Sequence, residues 1–332
     1  MTVDGRAFAA GQALLLSAKS YWTRTLYPAV REEYEKSPAA LSESVLYRYF
    51  CWLERHLQRY KYSGRYGLQP YHAQDRERLE ASLRDARAEV QEGFQYPEYY
   101  TRIDIHQHAG GVWSDPIAGF VYERGARSTT PLAGQRHRDL HERLTAAALE
   151  RCPAPARVLD MGCGFGKSTR PFYEALGPGK VEGIDLSAPC LRLAARDAAG
   201  GARFRQVDAS RTDYPDASFD LVTSTMLLHE MPPAVVEKTL AESARLLKPG
   251  GRMVHLDFLP APDEFSRLIH FGHARRNNEP YMEPLARMDL AALLERLGFR
   301  NIEIRPFEEA DGALASGYKY WRFPWALISA ER

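Results

Sequence analysis

The feature that most constrains this chain is an alternation of short buried runs with helical text from residue 157 onward. RVLDMG (157–162), KVEGIDLS (180–187), ARFRQVDAS (202–210), FDLVTSTM (219–226) and GRMVHLDF (251–258) each read as a strand. Amphipathic stretches such as PAVVEKTLAESARLLK separate them. Runs apolar on both faces and spaced by helices fold as a parallel sheet covered on both sides. FRNIEIRPF and WALISAER supply the last two strands, and Ser187 stands where it can cap a helix running to Arg196. After the fifth strand, residues 260–284 read as an irregular insertion.

The first 150 residues read differently, with 13 of the 18 tyrosines and six of the ten histidines. In LSESVLYRYFCWLERHLQRYKY, Leu46, Tyr49, Phe50, Leu53, Leu57 and Tyr60 recur at helical spacing. Residues 74–92 repeat the pattern through Leu79, Leu83, Ala86 and Val90, with Gly93 as the stop. From Phe94 to Pro131 the text is broken by Gly and Pro and crowded with aromatics, and a last helix spans 135–150. The 332 residues give room for a core and an appendage. The expected division is a helical, aromatic-rich cap over 1–130 and a strand–helix core over 131–332.

Charge and cysteines narrow the function. Basic and acidic residues number 20 and 19 up to residue 150, then 24 and 24. Neither part has the basic excess of a nucleic-acid binder, so no such partner is expected. Cys51, Cys152, Cys163 and Cys190 lie far apart with no C-x-x-C pair. That argues against zinc or a disulfide framework and for reduced thiols in a cytoplasmic protein. No apolar run approaches the roughly 20 residues that span a bilayer, and Asp4 and Arg6 speak against a signal peptide. No membrane partner is expected, and a homodimer is compatible with the text.

Asp160-Met-Gly162-Cys-Gly164-Phe-Gly166 sits between a strand and a helix, where glycines let the backbone turn tightly and approach a ligand. A phosphate loop would end on Gly166-Lys167-Ser168, but its first glycine falls on Met161. Lys167 is then a dispensable residue at the start of a helix. A dinucleotide fingerprint fails as well, because the third glycine comes one residue early.

A third reading accommodates the whole order of motifs. VLDMGCGFG, GIDLS, QVDAS, FDLVTSTMLLHEM and LLKPGG together resemble the class I S-adenosylmethionine-dependent methyltransferases, over about residues 130–332. The resemblance implies an α/β, Rossmann-like fold: a seven-stranded sheet with its last strand antiparallel, under the N-terminal helical cap. It implies S-adenosylmethionine as cofactor. Asp185, with Leu186 beside it, would accept both ribose hydroxyls in charge-assisted hydrogen bonds. Asp208 and the Ala209 amide would meet the adenine. Gly162 and Gly164 would admit the methionine moiety, with Asp160 nearby and Thr225 completing the cofactor set.

The acceptor is less constrained. Thr223-Ser224-Thr225-Met226 lacks the [NDS]-P-P-[YF] of nucleic-acid and glutamine methyltransferases, so a small molecule is implied; Pro232 and Pro233 begin the next helix. His229 can deprotonate an acceptor hydroxyl or amine, or pack beneath the cofactor. His255 and Asp257 stand on the fifth strand, where one alternating position faces a helix layer and the other the pocket. Arg124, Arg127, Thr129 and Thr130 precede the core and lie near the cofactor by resemblance. Tyr122 is the candidate to face the sulfonium, a cation–π contact worth about 0.5–2 kcal/mol. His106 and His108 stand as if on one strand face, but no third ligand is identifiable and no metal is expected. Two other readings keep the cofactor: a cyclase like azetidine-2-carboxylate synthase, releasing methylthioadenosine with no acceptor, and a non-catalytic binding module.

Overall fold

The computed structural model describes residues 4–129, 136–259, 261–315, 317 and 319–332, with only the backbone described at 136 and 137. Thr130 and the expected boundary at 130/131 lie outside the described residues. The sheet has eight strands: β1 (Ala88–Glu89), β2 (Val158–Met161), β3 (Val181–Asp185), β4 (Arg203–Gln206), β5 (Phe219–Thr225), β6 (Leu247–Phe258), β7 (Arg300–Pro306) and β8 (Trp325–Glu331). Their order is β1-β4-β3-β2-β5-β6-β8-β7. Every neighbouring pair is parallel except those made by β8, which runs antiparallel to β6 and β7. This is the Rossmann-like sheet with an antiparallel last strand, extended by one short edge strand.

That edge strand corrects the helix expected over 74–92. The helix there stops at Ala81, and Leu79 and Leu83 bury against Ile117, Phe120 and Leu193. The chain then reaches the open edge of β4, where Ala88 pairs with Phe204 and Glu89 with Arg205. Glu89 also accepts from Arg203 at 2.7 Å and from Arg205 at 2.9 Å. An unpaired sheet edge and two guanidinium groups outweigh a weak helical periodicity.

The helices on the sheet's two faces and above it are α1 (Gly5–Tyr21), α2 (Tyr27–Lys36), α3 (Val45–Ser63), α4 (Leu68–Ala73), α5 (Arg76–Ala81), α6 (Glu98–Thr101), α7 (Ala118–Ala126) and α8 (Arg136–Arg151), followed by α9 (Thr169–Leu176), α10 (Ala188–Ala198), α11 (Pro233–Leu246), α12 (Glu264–Arg276), α13 (Met282–Ala286) and α14 (Leu290–Arg296). A π-helical turn, Trp22–Leu26, joins α1 to α2 without breaking the helical run. Ser44 caps α3 by accepting from the Tyr47 amide at 3.0 Å, and Ser187 caps α10 by accepting from the Cys190 amide at 3.2 Å.

Two further expectations change. From residue 261 on, the expected irregular insertion forms α12 and α13; Asp263 caps α12 through the Ser266 amide at 2.8 Å. His106 lies in a single 3-10 turn, not on a strand, and both His106 (φ 55°) and Gln107 (φ 57°) adopt left-handed backbone. Such residues cost roughly 1–3 kcal/mol each and persist where surrounding contacts hold them.

The N-terminal helices share their core with the sheet. Trp22, Leu26, Tyr27 and Phe50 belong to the same buried cluster as Val158, Leu256, Phe258 and Trp325. The helical face of α3 is turned from its expected apolar stripe: Tyr49 is 43% exposed, while Glu54, Lys61 and Tyr62 are buried. That buried polar face borders a cavity.

Candidate active site

A cavity of about 210 Å³ lies at the C-terminal ends of β2 to β6, roofed by the N-terminal helices and the 260–284 insertion. Ligands of open α/β sheets bind at this end of the strands. Of the residues singled out in the sequence, Gly162, Gly164, Asp185, Leu186, Asp208, Ala209, Thr225, His229 and Tyr122 all line it, and so does Thr129.

Asp160 does not line it. Its fully buried carboxylate accepts from Ser168 Oγ at 2.6 Å and Thr169 Oγ1 at 2.7 Å, tying the end of the Gly-rich loop back to β2. Burial pushes its carboxyl up to about 6 against those two bonds. Within the loop, Gly162 (φ 66°) has no room for a side chain, since a Cβ would stand 2.5 Å from Leu227 Cδ1. Gly164 (φ 51°) has open space instead. Its amide donates to Asp185 Oδ2 at 2.9 Å, while Asp185 Oδ1 accepts from the Ser187 amide at 2.7 Å. Burial raises the Asp185 carboxyl to about 6, the two amides opposing.

Asp208 Oδ1 accepts from the Ser210 amide and hydroxyl, both at 2.8 Å, which leaves Oδ2 unengaged among the described residues. Two hydroxyls on the wall are buried without a hydrogen-bond partner: Thr225 Oγ1, at the end of β5, and Tyr99 Oη. Buried polar atoms are nearly always satisfied, so this pair marks where a polar ligand belongs.

His229 is 3% exposed and its Nδ1 lies 2.8 Å from Asp257 Oδ1. Asp257 is itself fixed, Oδ2 accepting from the Leu228 amide at 2.7 Å and Oδ1 from the Phe258 amide at 2.9 Å. Burial disfavours the charged ring, but Asp257 outweighs it and holds His229 above the ordinary histidine value. His255 is the opposite case: its Nδ1 meets Ser224 Oγ at 2.6 Å, and burial drives it down to about 4. His255 and Asp257, two residues apart, share a face of β6: Asp257, near the strand's end, holds His229, and His255 pairs with Ser224 inside the sheet.

His106 is held between two carboxylates, with Glu279 Oε1 3.1 Å from Nδ1 and Glu230 Oε1 3.2 Å from Nε2. Burial lowers it, yet the carboxylates prevail and carry it up to about 9; Glu279, raised by burial but facing His106, is held down at about 2. His106 stacks on Tyr122, with centroids 6.0 Å apart and 16° between planes, so one face of the Tyr122 ring is already covered. His108 instead packs edge-on against Tyr62. Sequence reasoning missed Glu54, Lys61, Glu279, Trp321 and Phe323 on this wall. The available signal was charge at Glu54 and Lys61, seven residues apart on a stripe read as apolar.

A family model described as a methyltransferase domain matches residues 158–251. The chain is 30% identical over 205 residues to a demethylmenaquinone methyltransferase of Lactiplantibacillus plantarum, covering 54% of this chain and 85% of that one. It is 28% identical over 232 residues to the ubiquinone/menaquinone biosynthesis C-methyltransferase UbiE of Stutzerimonas stutzeri, covering 63% and 83%. Among solved structures it is similar to Haemonchus contortus phosphoethanolamine N-methyltransferase 2 bound to S-adenosyl-L-methionine, at 19% identity and a TM-score of 0.44, covering 61% of this chain and 58% of that one. With the strand order, the Gly-rich loop and these relatives in hand, the chain belongs to the class I S-adenosylmethionine-dependent methyltransferase family.

Proposed function

We propose that this enzyme methylates a small, planar acceptor carrying an ionisable hydroxyl, with His229 as the base. The observation that carries the reading is the buried His229–Asp257 pair, at 2.8 Å, with His229 on the wall of a cavity bordered by the rings of Trp22, Phe258, Trp321 and Phe323. Aromatic walls favour a planar partner. Two relatives bear names of quinone methylation, which agrees with such an acceptor.

The cavity's chemistry suits the cofactor. Asp185, already oriented by two amides, keeps lone pairs for the ribose hydroxyls, and the free Oδ2 of Asp208 with the Ala209 amide suits the adenine. Gly164 leaves the backbone accessible, and the unpartnered Thr225 hydroxyl suits the amino-acid tail. Asp160 acts behind the loop as a positioning residue. When bound, S-adenosylmethionine supplies a methyl group on a positively charged sulfur.

His229 Nδ1–H donates to Asp257, which directs Nε2 to take the acceptor's hydroxyl proton, and Asp257 stabilises the imidazolium that results. With its proton on His229, the acceptor would keep the electron pair that takes the methyl group. Tyr122, packed between His106 and Phe165, borders the cavity, and the roof keeps water from the reacting charges. A paired base on the wall favours transfer to an acceptor over the cyclase reading.

Incubating the protein with S-adenosylmethionine, with and without reduced 1,4-naphthoquinone, tests the proposal. S-adenosylhomocysteine formed only with the quinol, alongside methylated quinol, is the expected result. Methylthioadenosine from the cofactor alone would replace this reading with cyclisation.

A further inference from the structure

The face of α3 that borders the cavity carries an amine that no carboxylate among the described residues contacts. Lys61 is 3% exposed and lines the chamber. Its Nζ lies 4.5 Å from the Tyr62 ring centre, and among the described residues no hydrogen bond or ion pair reaches it. The nearby carboxylates are committed elsewhere: Glu54 to His273 and Arg276, and both Glu230 and Glu279 to His106. A second lysine, the half-buried Lys19, adds positive charge and gives its Nζ to the Ser128 carbonyl at 2.7 Å. Burial and Lys19 hold Lys61 well below the usual lysine range, with Glu279 pulling the other way.

An unpaired amine at this depth is unfavourable for folding. Its position is accounted for by a partner that arrives with a ligand. That partner is anionic, because an ammonium has three donors and no acceptor, and small, because the chamber offers about 210 Å³. We propose that Lys61, backed by Lys19, is a carboxylate-binding point of the chamber. The inference rests on the cavity being the methyl-transfer site. Two molecules can bring the carboxylate there: the amino-acid tail of S-adenosylmethionine, or the acceptor.

Lys61→Met, which keeps the length and removes the charge, and Lys61→Arg, which keeps the charge, separate the cases by calorimetry. One arm compares S-adenosylmethionine with its decarboxylated analogue. The other compares benzoate with benzamide on protein saturated with S-adenosylhomocysteine. We expect Lys61→Met to lose about ten- to hundredfold affinity for the carboxylate in one arm, the scale of a hydrogen bond to a charged group. The matched neutral ligand should be unaffected, and Lys61→Arg should retain most of the affinity. A loss in the first arm assigns the carboxylate to the cofactor, and a loss in the second to the acceptor. Because an unpaired amine is removed, Lys61→Met should melt no lower than wild type, which a structural lysine would not allow. No selective loss in either arm, or equal loss for carboxylate and neutral ligand, overturns the proposal. Failure of the wild type to bind S-adenosylmethionine would instead overturn the reading of the site.

Discussion

The two halves of the cavity are built by different means. The half below the Gly-rich loop uses backbone amides and carboxylates at the ends of adjacent strands: Gly164, Asp185 and Ser187 engage one another within 24 residues of sequence. The half under the roof uses side chains from α1, α3, the 105–107 turn, α12 and the segment before β8, separated by up to some 300 positions. The first is a property of the sheet and tolerates few substitutions. The second is a set of side-chain ion pairs carried by helices and turns outside the sheet. Cofactor recognition and acceptor recognition should therefore be separable by mutation.

The largest separation is expected at His229. His229→Asn should lower methyl transfer by about 10²–10⁴-fold, the range of general-base catalysis, with S-adenosylhomocysteine affinity unchanged by calorimetry. An equal fall in affinity would erase the distinction between the halves. Asp185→Ala should do the converse. We expect roughly 1.5–3 kcal/mol weaker cofactor binding, with turnover near wild type once the cofactor is saturating.

A smaller effect concerns stability and pH. His106 is raised from 6.5 to about 9 in the folded chain, so its contribution is complete below pH 6.5 and lost as pH rises through 9. Glu279 is lowered from 4.5 to about 2, so its contribution is present above pH 4.5 and lost as pH falls through 2. Thermal melts should show an alkaline decline between pH 6.5 and 9, on the order of 1 kcal/mol. His106→Gln should flatten that decline; an unchanged pH profile would remove His106 from the roof's ion pairs. The smallest effect belongs to Lys167→Ala, which should leave cofactor affinity within about twofold, or about 0.4 kcal/mol. Loss of binding there would return the loop to a phosphate-binding reading.

What was legible in the sequence divides along the same line. Gly162, Gly164, Asp185 and Asp208 stand at strand ends within short motifs, where local pattern and three-dimensional position coincide. The helices over 260–284 and the edge strand at Ala88 were not legible, because tertiary partners decide them: Arg31 reaches Asp263, and the open edge of β4 captures residues 88–89. Glu279 and His106 are 173 positions apart, and neither has a sequence neighbour that signals the other. Lys61 reads as one more charge on an amphipathic helix until the opposing wall is known.

The π-helical turn at Trp22–Leu26 has a consequence for length variation. Such a turn amounts to one extra residue within an otherwise α-helical run, and each residue of an α-helix adds about 100° of rotation. Removing one residue from this turn would restore an unbroken helix and swing α1 about 100° around its axis relative to α2. Lys19 would leave the chamber while every residue lining it stayed the same. A one-codon deletion here would rewrite the chamber's charge more thoroughly than a point substitution, and a comparison of sequences column by column would score it as a gap in a helix.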